Sequence, residues 1–430
     1  MKVLHISYSD LSGGAARATY RLHTGLRNRG VVSKMLVLDK VSEDTDVIGP
    51  TSKLGKGWSK ISRYVEALPV KLLKTENHNL ISPAWIGSNI LQRSTAFEPD
   101  IIQLHWIGHE LLKVEDIAKF RQPIVWRLPD MWAFTGGEHY VQECTRYQLG
   151  YLKNNRPKGE GGFDLNRWVW KRKLRAWKDI SNLTIVTPSS WLAKCASSSS
   201  LFKDRRVEVI HNGLDPEQYK PIDKRLAREL MKLPQDKQII LFGALSATRD
   251  RRKGFNLLQP ALQCLSESAG QGKENIEIVI FGSSQPENAI DLGFKSHYLG
   301  YLHDDISLAL VYSAADVMIV PSVQEGFGQT ASESLACGTP VVCFDSTGLK
   351  DIVDHHKNGY RAKCFSVEDL AKGIAWVLQD EQRLQELSRR AREKVEQEFT
   401  LEIQARRYLK LYQEVLQTSN REGDKSKLKA

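Results

Sequence analysis

Short runs of β-branched and other apolar residues alternate with helix-length amphipathic segments along most of this chain. That alternation is typical of parallel sheets with helices on both faces. It therefore predicts an α/β protein with two doubly wound, Rossmann-like domains. The runs that we interpret as strands are residues 3–6, 33–38, 101–104, 124–126, 184–187, 239–242, 276–281, 317–320 and 341–344.

The chain has 430 residues, more than one hydrophobic core usually organises, so two domains are expected. The turn-forming residues Asn212, Gly213 and Pro216 follow a short apolar run and mark the predicted boundary. We predict a first domain over 1–213 and a second over 214–399. A helix over about 400–417 follows, with an apolar face that must pack on something, and then a polar tail over 418–430.

The net charge of +10 is unevenly distributed. Residues 1–213 contain 32 Lys and Arg against 20 Asp and Glu, whereas residues 214–430 contain 29 against 31. The excess predicts either an N-terminal surface that faces an anionic partner, such as a membrane or an acidic polymer, or a basic surface that serves solubility.

No apolar stretch is long enough for a signal peptide or a membrane span. The six cysteines lack a Cys-x-x-Cys pair. A cytoplasmic protein with reduced thiols is therefore expected.

The segment 320–341 is the most informative for function. A predicted buried strand ends at Val320, a loop with Gly326, Phe327 and Gly328 follows, and a helix comes next. This order presents free backbone N–H groups to an anion. Glu325 and Glu333 flank that opening, and an ionised carboxylate can accept two hydroxyl donors. The alternative is that Ser322 to Glu325, or Thr330 to Glu333, is only a helix capping box.

The two glutamates and their surroundings resemble the Glu-x7-Glu motif of the retaining glycosyltransferase family 4, which has the GT-B fold of two domains facing across a cleft. Further segments, Val125 to Tyr140, Arg167 to Lys173 and Pro188 to Cys195, resemble the bacterial exopolysaccharide branch of the colanic-acid type. The resemblance implies that Glu325 contacts sugar hydroxyls and that Glu333 accepts from the ribose of a nucleotide. It also implies that the C-terminal helix crosses back to the first domain.

Other donor contacts are implied by the same resemblance. Gly13 and Gly14 open a helix near the N-terminus and would face the donor diphosphate. Lys253 occupies the position of the family's phosphate-binding lysine. The family's arginine position holds Ala244 instead, and either Arg249 or Arg252 is a candidate replacement.

Two further segments would hold the nucleobase. Gly282 and Ser283 end a predicted strand, and Leu302 closes a segment whose backbone binds the base in relatives. Backbone contacts do not distinguish uracil, guanine or adenine by side-chain identity. The base therefore stays open on these contacts, and the resemblance implies a UDP- or GDP-sugar donor, bound without a metal or other cofactor.

Many relatives carry a histidine after the fifth strand of the first domain, where this chain has Pro129. His139 or Asp130 could replace that group near the transferred sugar, or both could be structural. His105 and His109 have metal-compatible spacing but lack a completing ligand, so we expect no metal site.

The segment 167–178 combines Trp170, Leu174 and Trp177 on one helical stripe with dense positive charge. Such a helix either lies on an anionic membrane surface or packs its aromatic face against its own sheet.

The resemblance implies an enzyme: a retaining, metal-independent hexosyltransferase that acts on a saccharide or lipid-linked saccharide in surface polysaccharide synthesis, at the inner face of the membrane. The sequence contains no nucleic-acid-binding motif beside its net positive charge, so no nucleic-acid partner is expected. Two alternatives stay open: a nucleotide-sugar-binding protein that has lost turnover, and a nucleotide-sugar epimerase of related fold.

Overall fold

The computed structural model of the chain describes residues 1–50, 61–75, 77, 79–141, 144–243, 250–285 and 290–427. The chain divides into two compact units. The first comprises Met1–His211 with Leu401–Ala430, and the second comprises Asn212–Thr400. The division falls two residues before the boundary predicted from the turn residues.

Each unit is built on a parallel sheet. The strands of the first unit are β1 Lys2–Ser9, β2 Val32–Asp39, β3 Val47–Ile48, β4 Leu73–Lys74, β5 Ile101–Leu104, β6 Ile124–Arg127, β7 Gly161–Gly162, β8 Leu183–Thr187 and β9 Val207–Val209. Seven of them form one sheet in the order β3-β2-β1-β5-β6-β8-β9, and every pairing in it is parallel. Strands β4 and β7 form a separate antiparallel pair.

The strands of the second unit are β10 Gln238–Gly243, β11 Ile276–Phe281, β12 Lys295–Tyr298, β13 Val317–Val320, β14 Val341–Phe344 and β15 Gly359–Ala362. They form a parallel sheet in the order β12-β11-β10-β13-β14-β15. The first strand of this unit therefore lies in the middle, and the order of the strands reverses between β10 and β13.

Helices cover both faces of these sheets. The longer ones are Gly14–Arg27, Leu165–Trp177, Ser190–Ser198, Phe255–Ala269, Asp305–Ala314, Gln329–Ala336, Val367–Leu378, Glu381–Glu398 and Leu401–Lys427. The central strands β5, β6, β13 and β14 are buried along their whole length, as parallel strands between two helical layers must be. The predicted fold class, two α/β domains with doubly wound parallel sheets, is confirmed.

The helix Leu401–Lys427 packs on the first unit. Its residues Ala405, Tyr408 and Tyr412 are buried with Leu22 of the helix Gly14–Arg27, and the Tyr412 hydroxyl donates to Gln103 Oε1 at 2.8 Å. The helix continues to Lys427, ten residues beyond the predicted end at 417 and into the predicted polar tail. Extending a packed helix fixes one residue per added hydrogen bond, so polar residues can continue it without a new nucleus.

For the aromatic stripe of the segment 167–178, the structure matches the packing alternative and not the membrane alternative. Trp170 and Trp177, in the helix Leu165–Trp177, are buried in the core of the first unit, whereas Leu174 is exposed. Arg172 pairs with Glu115, with Nη2 2.6 Å from Oε2. The aromatic face therefore packs against its own unit, because burying two indole rings removes more apolar surface from water than an exposed stripe would.

Candidate active site

The candidate site of the second unit lies where the strand order reverses. Ligands of open parallel sheets bind beyond the carboxyl ends of the strands at this switch point. After β10 the chain forms a short 3-10 helix, Arg251–Lys253, and after β13 it runs through Pro321 to the loop at Glu325. A Cβ atom at Gly254 would lie 1.9 Å from the Pro321 carbonyl oxygen, so only glycine permits this close approach of the two segments.

This approach brings Lys253 and Glu325 together. Lys253 Nζ lies 2.6 Å from Glu325 Oε1, and the Ser322 hydroxyl donates to the same oxygen at 3.0 Å. Burial raises the pKa of the Glu325 carboxyl, but the charge and hydrogen bond of Lys253, the nearby Arg252 and Ser322 lower it, and the resulting pKa lies below the ordinary value. The site therefore holds an ionised carboxylate beside an ammonium group in a partly water-excluded position.

Glu333 lies on the helix Gln329–Ala336 and is 5% exposed. Its Oε2 accepts a hydrogen bond from the Tyr312 hydroxyl at 3.0 Å. The helix begins at Gln329 after Gly328, so Glu333 stands in its second turn and Thr330 does not cap it. Neither capping-box alternative matches this local structure, because residues 322–325 do not begin a helix either.

The loop between the two glutamates is tightly packed. Gly328 has φ +111°, and Phe327 is buried edge-on against Phe399. A Cβ atom at Gly328 would lie 2.6 Å from Leu349 Cδ2. Gly326, Phe327 and Gly328 thus fix the path of the backbone into the helix, whose N-terminus is the kind of anion-binding position that the sequence predicted.

The predicted nucleobase segments lie beside the same sheet edge. Gly282 follows β11 with φ +76°, its N–H donates to the Gly300 carbonyl at 2.7 Å, and Ser283 forms an antiparallel bridge with Gly300. Leu302 is half-buried against the core. The structure therefore brings these two segments together beyond β11 and β12.

Of the two arginine candidates, Arg252 lies within the described part of the chain. Arg252 Nη2 lies 2.6 Å from Asp250 Oδ2, so its side chain has a partner within its own turn. Arg249 and Ala244 lie outside the described residues.

In the first unit, Gly13 and Gly14 stand at the carboxyl end of β1. Gly13 precedes the helix Gly14–Arg27 with φ +90°, and a Cβ atom there would meet nothing within 4 Å. Asp10, which the sequence did not single out, is fully buried just before this turn and accepts from the backbone N–H groups of Val41 and Ser42 at 2.9 Å. It ties the glycine turn to the chain after β2.

Asp130 and His139 are brought together after β6. Asp130 Oδ2 lies 2.7 Å from His139 Nδ1 and accepts from Trp106 Nε1 at 3.0 Å, while Ser82 Oγ lies 2.8 Å from His139 Nε2. The order serine, histidine, aspartate resembles a hydrolase triad, but Ser82 is fully buried, so it offers no nucleophile to a substrate. The contacts of Trp106 and Ser82 were not found from the sequence, because their partners lie 24 and 57 residues away.

The structure places the remaining polar candidates in packing roles. His105 is buried with its Nε2 2.8 Å from His5 Nδ1. Within the described parts of the chain, no group of three or more His, Cys, Asp or Glu side chains is arranged to hold a metal ion. Among the same residues, no helix is long and apolar enough to cross a membrane.

Comparison with known proteins finds similarity over part of the chain. The family model described as "Glycosyl transferases group 1" matches residues 223–394. An uncharacterised glycosyltransferase of Methanocaldococcus jannaschii is 30% identical over 211 residues, 46% of this chain and 51% of that protein. The D-inositol 3-phosphate glycosyltransferase 2 of Catenulispora acidiphila is 29% identical over 196 residues, 43% of this chain and 45% of that protein.

A third relative is the N,N'-diacetylbacillosaminyl-diphospho-undecaprenol alpha-1,3-N-acetylgalactosaminyltransferase of Campylobacter jejuni, 31% identical over 155 residues, 35% of this chain and 40% of that protein. The chain therefore spans about half the length, or less, of these curated relatives.

Solved structures match over nearly the whole chain. Sucrose-phosphate synthase from Thermosynechococcus elongatus superposes with a TM-score of 0.65 at 18% identity, covering 97% of this chain and all of that one. Anabaena HepE in complex with UDP and glucose gives 0.61 at 16% identity, covering 96% of this chain and all of that one. Residues 223–394 thus resemble the group 1 glycosyl transferases, in a chain with the GT-B type of fold.

Proposed function

We propose that this protein is a retaining glycosyltransferase that moves a hexose from a UDP- or GDP-sugar to a saccharide or lipid-linked saccharide acceptor in surface polysaccharide synthesis. The family match of residues 223–394 supports sugar transfer, and the name of the Campylobacter relative describes transfer to a diphospho-undecaprenol-linked sugar. The solved Anabaena relative contains UDP and glucose, which supports a nucleotide donor.

The observation that carries the proposal is the pairing of Lys253 with Glu325 at the switch point, with Glu333 on the following helix. An ammonium group here would neutralise the charge that grows on the departing diphosphate, where electrostatic stabilisation contributes most to catalysis. The Glu325 carboxylate would accept from hydroxyls of the donor sugar, and Glu333 would accept from the ribose.

In the proposed reaction the bond between the anomeric carbon and the phosphate oxygen breaks, and a bond from the acceptor oxygen to that carbon forms on the same face. The proton of the acceptor hydroxyl passes to the departing diphosphate, so no protein base and no metal is needed. The N-terminus of the helix Gln329–Ala336 would contribute to binding the diphosphate in the second unit.

For Asp130 and His139 we propose a positioning role. Both side chains are buried, and both ring nitrogens of His139 have partners, so the pair holds the turn after Pro129 rather than touching the sugar. The Met131 N–H also donates to the His139 carbonyl at 3.0 Å, which joins the two ends of this turn.

A membrane surface is proposed as a partner through a different element from the one the sequence suggested. Leu68, Leu72 and Phe163 are exposed on the segment that includes the β4–β7 pair, and Lys71 and Lys74 are exposed beside them. Apolar side chains flanked by lysines suit the interface of an anionic bilayer. A location at the cytoplasmic face would accord with this surface and with six free cysteines.

The proposal is tested by thermal unfolding with a panel of nucleoside diphosphates and their sugar conjugates, because a ligand at about 100 times its Kd stabilises by about 2.7 kcal/mol. A shift with one base, followed by acceptor-dependent release of that nucleoside diphosphate, is the expected result. Binding without turnover on any acceptor would favour the binding-protein alternative. Conversion of the donor without nucleotide release would favour an epimerase, and no shift with any nucleotide would contradict the proposal.

A further inference from the structure

Thr347, in the loop after β14, has a backbone conformation that is unfavourable for its residue type. Its φ is +52°, in the left-handed region, where a β-branched side chain crowds the backbone. Such a residue persists only where its surroundings hold it, and strained positions cluster at functional sites. Glycine would adopt the same conformation freely. The backbone conformation of the loop therefore does not account for a threonine at position 347.

The Thr347 side chain contacts the backbone of Glu325. The Glu325 N–H donates to Thr347 Oγ1 at 3.2 Å, and the N–H of the next residue, Gly348, donates to the Glu325 carbonyl at 3.0 Å. The dipeptide Thr347–Gly348 thus binds both backbone polar groups of the residue whose carboxylate meets Lys253. A glycine at 347 would relieve the backbone but would offer no oxygen to the Glu325 N–H.

The loop after β13 and the loop after β14 also pack directly against each other. A Cβ atom at Gly348 would lie 2.7 Å from the Gly326 carbonyl oxygen, so the loop after β14 lies directly against the loop after β13. Leu349, the residue after Gly348, is fully buried, and its Cδ2 lies where a Cβ atom at Gly328 would be in contact.

We infer that Thr347 is a positioning residue: its hydroxyl fixes the Glu325 backbone, and so aims the Glu325 carboxylate at Lys253 and at the donor sugar. This inference rests on the proposed function for the sugar, but the fixing of Glu325 is a property of the free protein. Misplacement of a catalytic group by about 1 Å can lower turnover about a hundredfold, while binding contacts elsewhere stay intact.

Two substitutions separate the hydroxyl from the rest of the side chain. Thr347→Ser keeps the oxygen and removes the β-branch, whereas Thr347→Gly removes the oxygen and the strain together. Both variants are expected to fold, because each suits φ +52° at least as well as threonine does. Three quantities are measured for each: amide exchange at Glu325 by NMR, kcat with the identified donor, and the Kd for UDP and for GDP.

We expect Thr347→Ser to match the wild type in all three. In Thr347→Gly, exchange at Glu325 should accelerate about tenfold, and kcat should fall at least about tenfold. The Kd for UDP and GDP should not change, because the ribose contact is proposed for Glu333, which lies on the helix Gln329–Ala336. A merely structural role would move stability and all binding together.

Wild-type exchange at Glu325 in Thr347→Gly, or equal impairment of Thr347→Ser and Thr347→Gly, would overturn the inference. If the wild type turns over no donor, the proposed function fails instead. Exchange at Glu325 then decides the positioning role by the same criterion, independently of activity.

Discussion

Glu333 is buried, and its carboxylate accepts a hydrogen bond from the Tyr312 hydroxyl. Glu333→Ala should raise the Kd for the donor's nucleoside diphosphate about tenfold or more, because a hydrogen bond to a charged group contributes about 1.5–3 kcal/mol. Isothermal titration measures the change. Tyr312→Phe is the control, since it removes the partner at 3.0 Å and leaves the carboxylate in place. Unchanged affinity in Glu333→Ala would exclude the ribose role.

Glu325 should separate turnover from nucleotide binding. Glu325→Gln keeps the shape of the side chain but removes the charge that pairs with Lys253. We expect kcat to fall on the order of a hundredfold, because the sugar loses an oriented acceptor and Lys253 loses its fixed partner. Affinity for the free nucleoside diphosphate, measured in parallel, should stay nearly intact. An equal loss of both quantities would assign Glu325 to nucleotide binding instead.

His23, in the helix Gly14–Arg27, provides a prediction on pH. Burial lowers the pKa of His23 to about 4, partly offset by Asp44, while its unfolded value is about 6.5. Below about pH 6.5 the imidazole is therefore protonated in the unfolded chain but stays neutral in the folded chain until about pH 4. The free energy of unfolding consequently falls as the pH falls. Between pH 7.5 and 5.5 this amounts to about 1.4 kcal/mol.

The variant His23→Gln lacks this titration. The stability advantage of the wild type over His23→Gln should therefore shrink by about that amount between pH 7.5 and 5.5, in urea unfolding at both pH values. A gap that is constant with pH would contradict a buried neutral imidazole at this position.

Which of these residues the sequence could reveal depends on how far along the chain their partners lie. Glu325, Glu333 and Lys253 stand beside glycines and strand ends, so local pattern and resemblance were enough to select them. Thr347 and Tyr312 stand 22 and 21 residues from the glutamates that they contact. Nothing near either residue marks the contact, because it exists only once β14 and the helix Asp305–Ala314 are packed.

At the scale of elements, the central strands of the second unit were predicted and its edge strands were missed. The strands β11, β13 and β14 have the predicted bounds, because a strand buried on both faces is a continuous apolar run. The edge strands β12 and β15 carry polar residues or glycine, so their sequences lack the apolar run that predicts a buried strand. In β15 a Cβ atom at Gly359 would lie 2.0 Å from the Val341 carbonyl oxygen, so close packing, not β propensity, selects that residue.

The segment around the β4–β7 pair should bind anionic bilayers. Leu73 in this segment is buried in a cluster with Val169, whereas the Leu72 and Phe163 side chains are 63% and 43% exposed. We expect the full chain to sediment with phosphatidylglycerol vesicles and not with phosphatidylcholine vesicles. Replacing Lys71 and Lys74 by glutamate should weaken binding at least about tenfold, because each lysine near such a surface contributes about 1 kcal/mol.

Serine at both Leu72 and Phe163 should weaken vesicle binding through lost apolar contact, with less dependence on salt. The matched control is serine at Leu226 and Leu230, which are exposed to a similar degree on a helix of the second unit. Equal losses in both pairs, or no vesicle binding by the wild type, would contradict the assignment of this surface. Concentration-dependent dimerisation that disappears in the Leu72 and Phe163 variant would assign it to a second copy of the chain.

For the whole molecule, the two units differ in charge as well as in site chemistry. The positive excess lies in residues 1–213, while the paired Lys253 and Glu325, the buried Glu333 and the glycine turns at Gly282 and Gly328 all lie in the second unit. This division predicts that the donor nucleotide and an anionic acceptor or surface are held by different units. Hydrogen exchange of the full chain can locate each of them.

Addition of the nucleoside diphosphate that stabilises the protein should slow exchange chiefly in residues 250–254, 282–284 and 325–333, since ligand binding suppresses local opening at the site it occupies. Anionic vesicles should instead protect the segment around Leu72 and Phe163, and that protection should decrease at high salt because screening weakens exposed charge interactions. Nucleotide protection confined to the first unit would contradict the donor site, whereas vesicle protection confined to the second would contradict the division of roles by charge. Observation of both patterns in the same chain would show that each unit binds the ligand its own residues select.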